Sequence, residues 1–398
     1  MKITLDQMTV KRTAMAQSRR RDWFAVDEQT WSDWQWQQAN RIRSVEELEK
    51  YFPLRETEKQ AIKATADTYR MAITPYYLTL IDPECEHCPI RKQAIPTMQE
   101  EEIRSTDLVD PLAEEKDSPV PGITHRYPDR VLFYTTHNCP VYCRHCNRRR
   151  KVSMPETMPP RDVLEQGVRY IAENPEVRDV LVSGGDPLTF SDTRLQELLA
   201  SLYAIEHLDI IRLATRNPVT LPQRITPKLA EMLKRFAPIY VSTHFNHPQE
   251  CTEEAAQALA LLVDAGCVVN NQMVLLKGVN DGPETVLALN RWLLRHRCQP
   301  YYIFQLDNAE GISHFRTPIS SGVNIIESLR GWTSGMAVPH YVVDLPGGGG
   351  KVSVQPNYFV EKKERTHIFR NYRGEVFEYE EGSSLEHEAS HSLMASKA

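Results

Sequence analysis

Three thiols crowd the stretch THNCPVYCRHCNRRR, at Cys139, Cys143 and Cys146, and Arg148, Arg149 and Arg150 follow at once. The spacing C-x3-C-x2-C is one ligand short of a closed tetrahedral zinc site. It allows zinc with a distant fourth ligand such as His137, or a cluster of four irons and four sulfides with one iron left open. Spacing alone does not separate the two. A second group is VVDLPGGGGKVSVQPNY, in which four glycines precede Lys351. The plain reading is a flexible turn with a solvated lysine. A phosphate loop would need Ser or Thr after the lysine, where Val352 stands. The remaining reading is a lysine that condenses with the aldehyde of pyridoxal phosphate. Such an amine must be neutral, so burial or nearby cations must lower its pKa, and the glycines would clear room for a flat ring. Arg126 and Arg130 in THRYPDRVLF could take the phosphate, since arginine suits bidentate phosphate contacts.

Both groups must be positioned by the elements around them. From about residue 130, apolar runs alternate with helix-length stretches. The runs are RVLFYTT (130–136), DVLVSG (179–184), IIRLAT (210–215), IYVSTHF (239–245), VVNNQMVLL (268–276) and YYIFQL (301–306). Stretches between them, such as RDVLEQGVRYIAE with Val163, Leu164, Val168 and Ile171 on one face, carry the helical period. Strand and helix alternating about six times imply a parallel sheet. Runs this apolar imply strands buried on both faces. The chemistry recurs at successive strand ends, which favours a closed or partial barrel with its active site there. Residues 1–110 read as a mainly helical N-terminal region. There SVEELEKYF offers a capping box from Ser44 and Glu47. Trp23, Trp31, Trp34 and Trp36 read as packing residues, and Cys85 and Cys88 as a partly buried pair of thiols. Residues 111–356 hold the barrel and the lysine, and 357–398 form a short C-terminal extension whose end is expected to be disordered.

Of 398 residues, 41% are apolar and 25% charged, with a net charge of −6, so no basic excess points to nucleic acid. No run approaches the 18 or more apolar residues of a membrane span, and the N-terminus lacks the apolar core of a signal peptide. A cytoplasmic location is expected. The eight cysteines then read as thiols or metal ligands rather than disulfides.

With the cysteine loop after the first strand and SGGDPL (183–188) closing the second, the chain resembles the radical S-adenosylmethionine superfamily. ITHRYPDRVLF, TRNPVTLPQRIT, THFNHP, NNQMVLLKGVND, FQLDNAEGISHFRTPIS and DLPGGGGK narrow the resemblance to the lysine 2,3-aminomutase family, over roughly residues 70–372. The resemblance implies an α/β fold, a partial (β/α)6-type barrel with the two extensions. Cys139, Cys143 and Cys146 would hold a [4Fe-4S] cluster. Gly184, Gly185, Asp186, His244 and Gln272 would meet S-adenosylmethionine, with His145 in the aromatic or apolar position between the second and third cysteines. Lys351 would carry pyridoxal phosphate, and Arg126 and Arg130 its phosphate. Arg148 would hold the substrate carboxylate. Asp307 and Asp344 would receive a distant ammonium, since two desolvated carboxylates repel a glutamate side chain and welcome a cation.

The implied activity is an isomerase, L-lysine to β-lysine, in which the amino group migrates by way of a 5′-deoxyadenosyl radical. Arginine or glutamate as substrate, or β-lysine supply for a translation factor, stay open, as does a non-catalytic iron–sulfur redox protein from another class. The implied partners are a small amino acid, an electron donor such as flavodoxin or ferredoxin, and further copies in a homo-oligomer. Zinc is doubtful. Some family members bind it through a cysteine after GVND and a C-x-C-x2-C group in the tail, whereas here Gly282 follows GVND and no cysteine follows residue 356. Cys267 reads as core, and His387 and His391 as part of a solvated tail.

Overall fold

The computed structural model describes residues 5–152 and 159–382; His387 and His391 lie outside them. Nine strands form one sheet in chain order: β1 (Ile123–Tyr127), β2 (Arg130–Thr136), β3 (Asp179–Gly184), β4 (Ile210–Ala214), β5 (Ile239–Thr243), β6 (Val268–Leu275), β7 (Gln299–Gln305), β8 (His340–Leu345) and β9 (Gly350–Ser353). Strands β2 to β8 are parallel, while β1 and β9 run antiparallel at the two edges. Helices Arg161–Glu173, Asp192–Tyr203, Pro227–Lys234, Glu253–Asp264, Pro283–Arg295 and Ile319–Leu329 return the chain between successive parallel strands. The six strand–helix units match the alternation of the sequence. The seventh parallel strand does not appear in that pattern, because HYVVDL runs straight into the glycines and reads as their loop.

Alternate strand residues explain the layers. Phe133, Val180, Val182, Leu213, Ile239 and Val241 point outward and are buried under the helices. They meet Ile171, Leu195, Leu199, Leu229, Leu259 and their neighbours. Each fully buried side chain of this kind contributes roughly 1.5–3 kcal/mol relative to exposure. Gly167 is dictated by this contact, since a Cβ there would lie 2.5 Å from the Phe133 ring. The inner residues Leu132, Leu181, Arg212 and Tyr302 are only half-buried and line a cavity. Burial on both faces therefore holds for the outer face alone. The lumen is not filled by side chains, and it carries a charged pair, Arg212 to Asp179 at 2.8 Å.

The sheet edges meet through a side chain rather than a ladder. The Lys351 backbone N–H on β9 donates to the Tyr127 hydroxyl on β1 at 2.8 Å. In the N-terminal region, Ser44 caps its helix by accepting from the Glu47 N–H at 3.2 Å. Glu47 reaches the Arg43 N–H at 2.6 Å instead of closing a box on Ser44. Trp31 is buried, and it lies with Phe24 and Trp36 in one aromatic group. Cys267 is buried in the core. Beyond the barrel, Phe359–Lys363, Thr366–Arg370 and Val376–Glu380 form a three-stranded antiparallel sheet.

Candidate active site

The cavity has a volume of about 490 Å³, and the residues that line it sit mainly at the C-terminal ends of the parallel strands. Every residue assigned to the cluster, S-adenosylmethionine, pyridoxal phosphate or the substrate lines it. The cysteine loop follows β2, Gly184 ends β3, and Gly185 and Asp186 come directly after it. His244 follows β5, Gln272 lies in β6, Asp307 follows β7, and Asp344 and Lys351 face each other across β8 and β9. Arg126, Arg130 and Arg148 complete the wall. The three thiols and the lysine amine thus share one space. His137, the alternative zinc ligand, is not in that wall; its Nδ1 lies 2.6 Å from the Lys151 carbonyl.

At one end the cysteine loop is held by its backbone. Arg41 donates to the Cys139 carbonyl at 2.7 Å and the Tyr69 hydroxyl to that of Cys143 at 3.2 Å. Burial pushes the Cys139 and Cys146 thiols up, and neighbouring anions add to it: Asp186 first and then the other thiols for Cys139, and Cys143 for Cys146. Thiols held neutral in this way become thiolates there only with a positively charged centre among them. The clearance that Gly184 and Gly185 provide is toward the chain itself. A Cβ at 184 would lie 2.6 Å from the Thr136 carbonyl oxygen, and one at 185 would lie 2.3 Å from that of Asn138. Gly184 also has φ +116°, a region that favours glycine. The glycines therefore dock the end of β3 against the start of the cysteine loop.

Asp186 turns the next strand end. It accepts from the Thr215 hydroxyl at 2.8 Å and the Arg216 N–H at 2.7 Å. Arg216 then reaches the sulfur of Cys143 at 2.8 Å, Gln93 at 2.7 Å and Glu250 at 2.7 Å. Glu250 is fully buried, and its other oxygen accepts from the N–H groups of Asn246 and His247. Burial and the Arg216 and Arg148 guanidiniums hold His244 down to about 4, so its ring is neutral near pH 7. Gln272 donates to Ser242 at 3.2 Å.

At the other end, Lys351 Nζ lies 3.1 Å from both oxygens of Asp344 and 4.3 Å from the Phe304 ring centre. Burial lowers the lysine pKa, while Asp344 and Asp307 oppose that. Burial and the Asp344 charge push Asp307 up to about 6, against the pull of Asn147, Arg148 and Lys351. Arg148 pairs with buried Glu114 at 2.7 Å. Arg126 pairs with Asp117 at 2.9 Å and also donates to the Leu112 carbonyl. Arg130 lies over the Tyr127 ring at 4.1 Å. Gly347, Gly348 and Gly350 all have positive φ, so the turn from β8 to β9 needs them for its shape as well as for space.

Sequence reasoning overlooked Arg216, Glu250, Glu114 and Asn147. TRNPVT carried a signal for the first, because polar residues follow the β4 run as SGGD follows β3. The carboxylates gave none, since their partners come from distant segments.

A profile for the radical SAM superfamily matches residues 133–289, and one described as lysine-2,3-aminomutase matches 326–396. Barrel, cysteine loop and match define a radical S-adenosylmethionine enzyme. An L-lysine 2,3-aminomutase of Fusobacterium nucleatum is 52% identical over 91% of this chain and 85% of its own length. One from Clostridium subterminale is 51% identical over 89% and 86%. A glutamate 2,3-aminomutase of Clostridioides difficile is 44% identical over 90% and 85%. The chain belongs to the lysine 2,3-aminomutase family and is an isomerase, a radical aminomutase. Membership implies a [4Fe-4S] cluster, S-adenosylmethionine and pyridoxal phosphate. The donor set fits the first. Among the described residues, no three Cys, His, Asp or Glu side chains converge on one ion, whereas a four-iron cluster takes each thiolate on a separate iron. A desolvated lysine beside an aromatic wall, with arginines on the same cavity, fits the last.

Proposed function

We propose that the chain is an L-lysine 2,3-aminomutase that makes β-lysine. The observation that carries this reading is the carboxylate pair at one end of the cavity. Asp344 already holds an alkylammonium, that of Lys351, at 3.1 Å, and burial together with the nearby Asp344 charge raises the pKa of Asp307. A lysine side chain can replace the Lys351 ammonium there. A glutamate side chain would add a third anion.

Cys139, Cys143 and Cys146 would hold the cluster, and Gly184, Gly185, Asp186, His244 and Gln272 would border S-adenosylmethionine. Lys351 would hold pyridoxal phosphate, with Arg126 and Arg130 toward its phosphate. When bound, these groups supply an organic radical and a conjugated system that stabilises it while the amino group moves from the α- to the β-carbon. The protein's own work is placement. Arg148, pinned at Nε by Glu114, keeps the outer nitrogens of its guanidinium for the substrate carboxylate. Asp307 and Asp344 take the far ammonium, so the substrate is stretched between fixed charges. Desolvation prepares Lys351 to give up its proton. Neutral His244 adds no charge beside the sulfurs.

In this reading residues 111–356 are the catalytic unit, a flavodoxin or ferredoxin supplies the electron, the assembly is a homo-oligomer and the compartment is the cytoplasm. The test is anaerobic incubation of reconstituted protein with lysine, arginine and glutamate separately, followed by chromatography for β-isomers. Lysine conversion is expected; conversion of glutamate or arginine alone overturns the reading.

A further inference from the structure

Asn147 directly follows the last cysteine, yet its side chain serves the far end of the cavity. Its Nδ2 donates to Asp307 Oδ2 at 2.6 Å, joining residues 160 apart in sequence. We infer that Asn147 is a positioning residue of the cation site, one that orients the Asp307 carboxylate and ties it to the loop bearing the three cysteines. The inference rests on the proposed role of Asp307.

The argument is one of charge and geometry. Asp307 faces Asp344 on β8, which opposes its ionisation, and Arg148 on the cysteine loop and Lys351 on β9, which favour it. Among the influences that hold its pKa down, the Asn147 hydrogen bond comes first. An amide stabilises the anion without adding charge. A cation in its place would compete with the substrate ammonium for the same carboxylate. Only Oδ2 of Asp307 has a hydrogen bond to Asn147, which leaves Oδ1 for the substrate. Because Asn147 is adjacent to Cys146 in the chain, the same bond fixes the separation between the ammonium end of the substrate and the sulfurs.

The experiment uses reconstituted holoenzyme and compares wild type with Asn147→Ala and Asn147→Ser. For Asn147→Ala, kcat/KM for lysine should fall about tenfold, mostly through KM, as expected for losing a hydrogen bond to a charged group. The acid limb of its pH profile should move upward by about one pH unit, because Asp307 becomes harder to ionise. Cluster absorption should not change. Asn147→Ser keeps a donor and should recover part of both effects, and it carries the test if the alanine variant fails to assemble a cluster. An unchanged KM and acid limb in a lysine-converting enzyme overturn the inference alone. A wild type that converts glutamate and not lysine overturns the cation reading and this inference with it.

Discussion

The two ends of the cavity hold charge in different ways. At the cysteine end, Arg216 and Glu250 are buried, and the atoms that join them are hydrogen-bonded on several sides. At the lysine end, Asp344 and Lys351 hold each other, and burial with the Asp344 charge pushes Asp307 up to about 6. The first arrangement has one low-energy state, since a buried charge that loses its partner is costly. The second is poised, since its partners can be exchanged. On the proposed reading the first end is the radical source, which needs fixed geometry, and the second accepts and releases a cationic substrate, which needs replaceable partners.

The strongest break in this contrast is at the lysine. Lys351→Ala should reduce activity to background and abolish the absorption that borohydride shifts, while the cluster spectrum stays. Arg216→Met attacks the fixed end. It leaves Glu250 buried without its cation, and chemical denaturation should show a loss of about 3–5 kcal/mol. Asp344→Asn probes the exchangeable end. KM for lysine should rise about 10- to 100-fold with an intact cluster spectrum; an unchanged KM removes Asp344 from the substrate site. The smallest effect sharpens the comparison by titration. Asp307 must be ionised to attract an ammonium, so kcat/KM for lysine should rise with pH through about 6. A profile flat from pH 5 to 7 would contradict this.

Much of this was legible in the chain. The apolar runs and the helical period between them announce the six strand–helix units, and the cysteine spacing and glycine-rich lysine single out two groups that share one cavity. What was hidden depends on contacts between distant segments. Glu250 is an ordinary acidic residue until Arg216, 34 positions earlier, turns toward it. Gly185 shows no sign in the sequence of the Asn138 backbone that packs where its Cβ would stand. HYVVDL reads as part of a loop because its strand character shows only in pairing with β7 and β9.

The join between Tyr127 and Lys351 has a consequence for assembly. The residues proposed to hold pyridoxal phosphate stand on both sides of that seam, Arg126 on β1 and Arg130 on β2 to one side, Lys351 on β9 to the other. A cofactor gripped by both lips would act as a clasp on the barrel. Loading it should raise the melting temperature of the whole domain, and the empty protein should breathe first along this line.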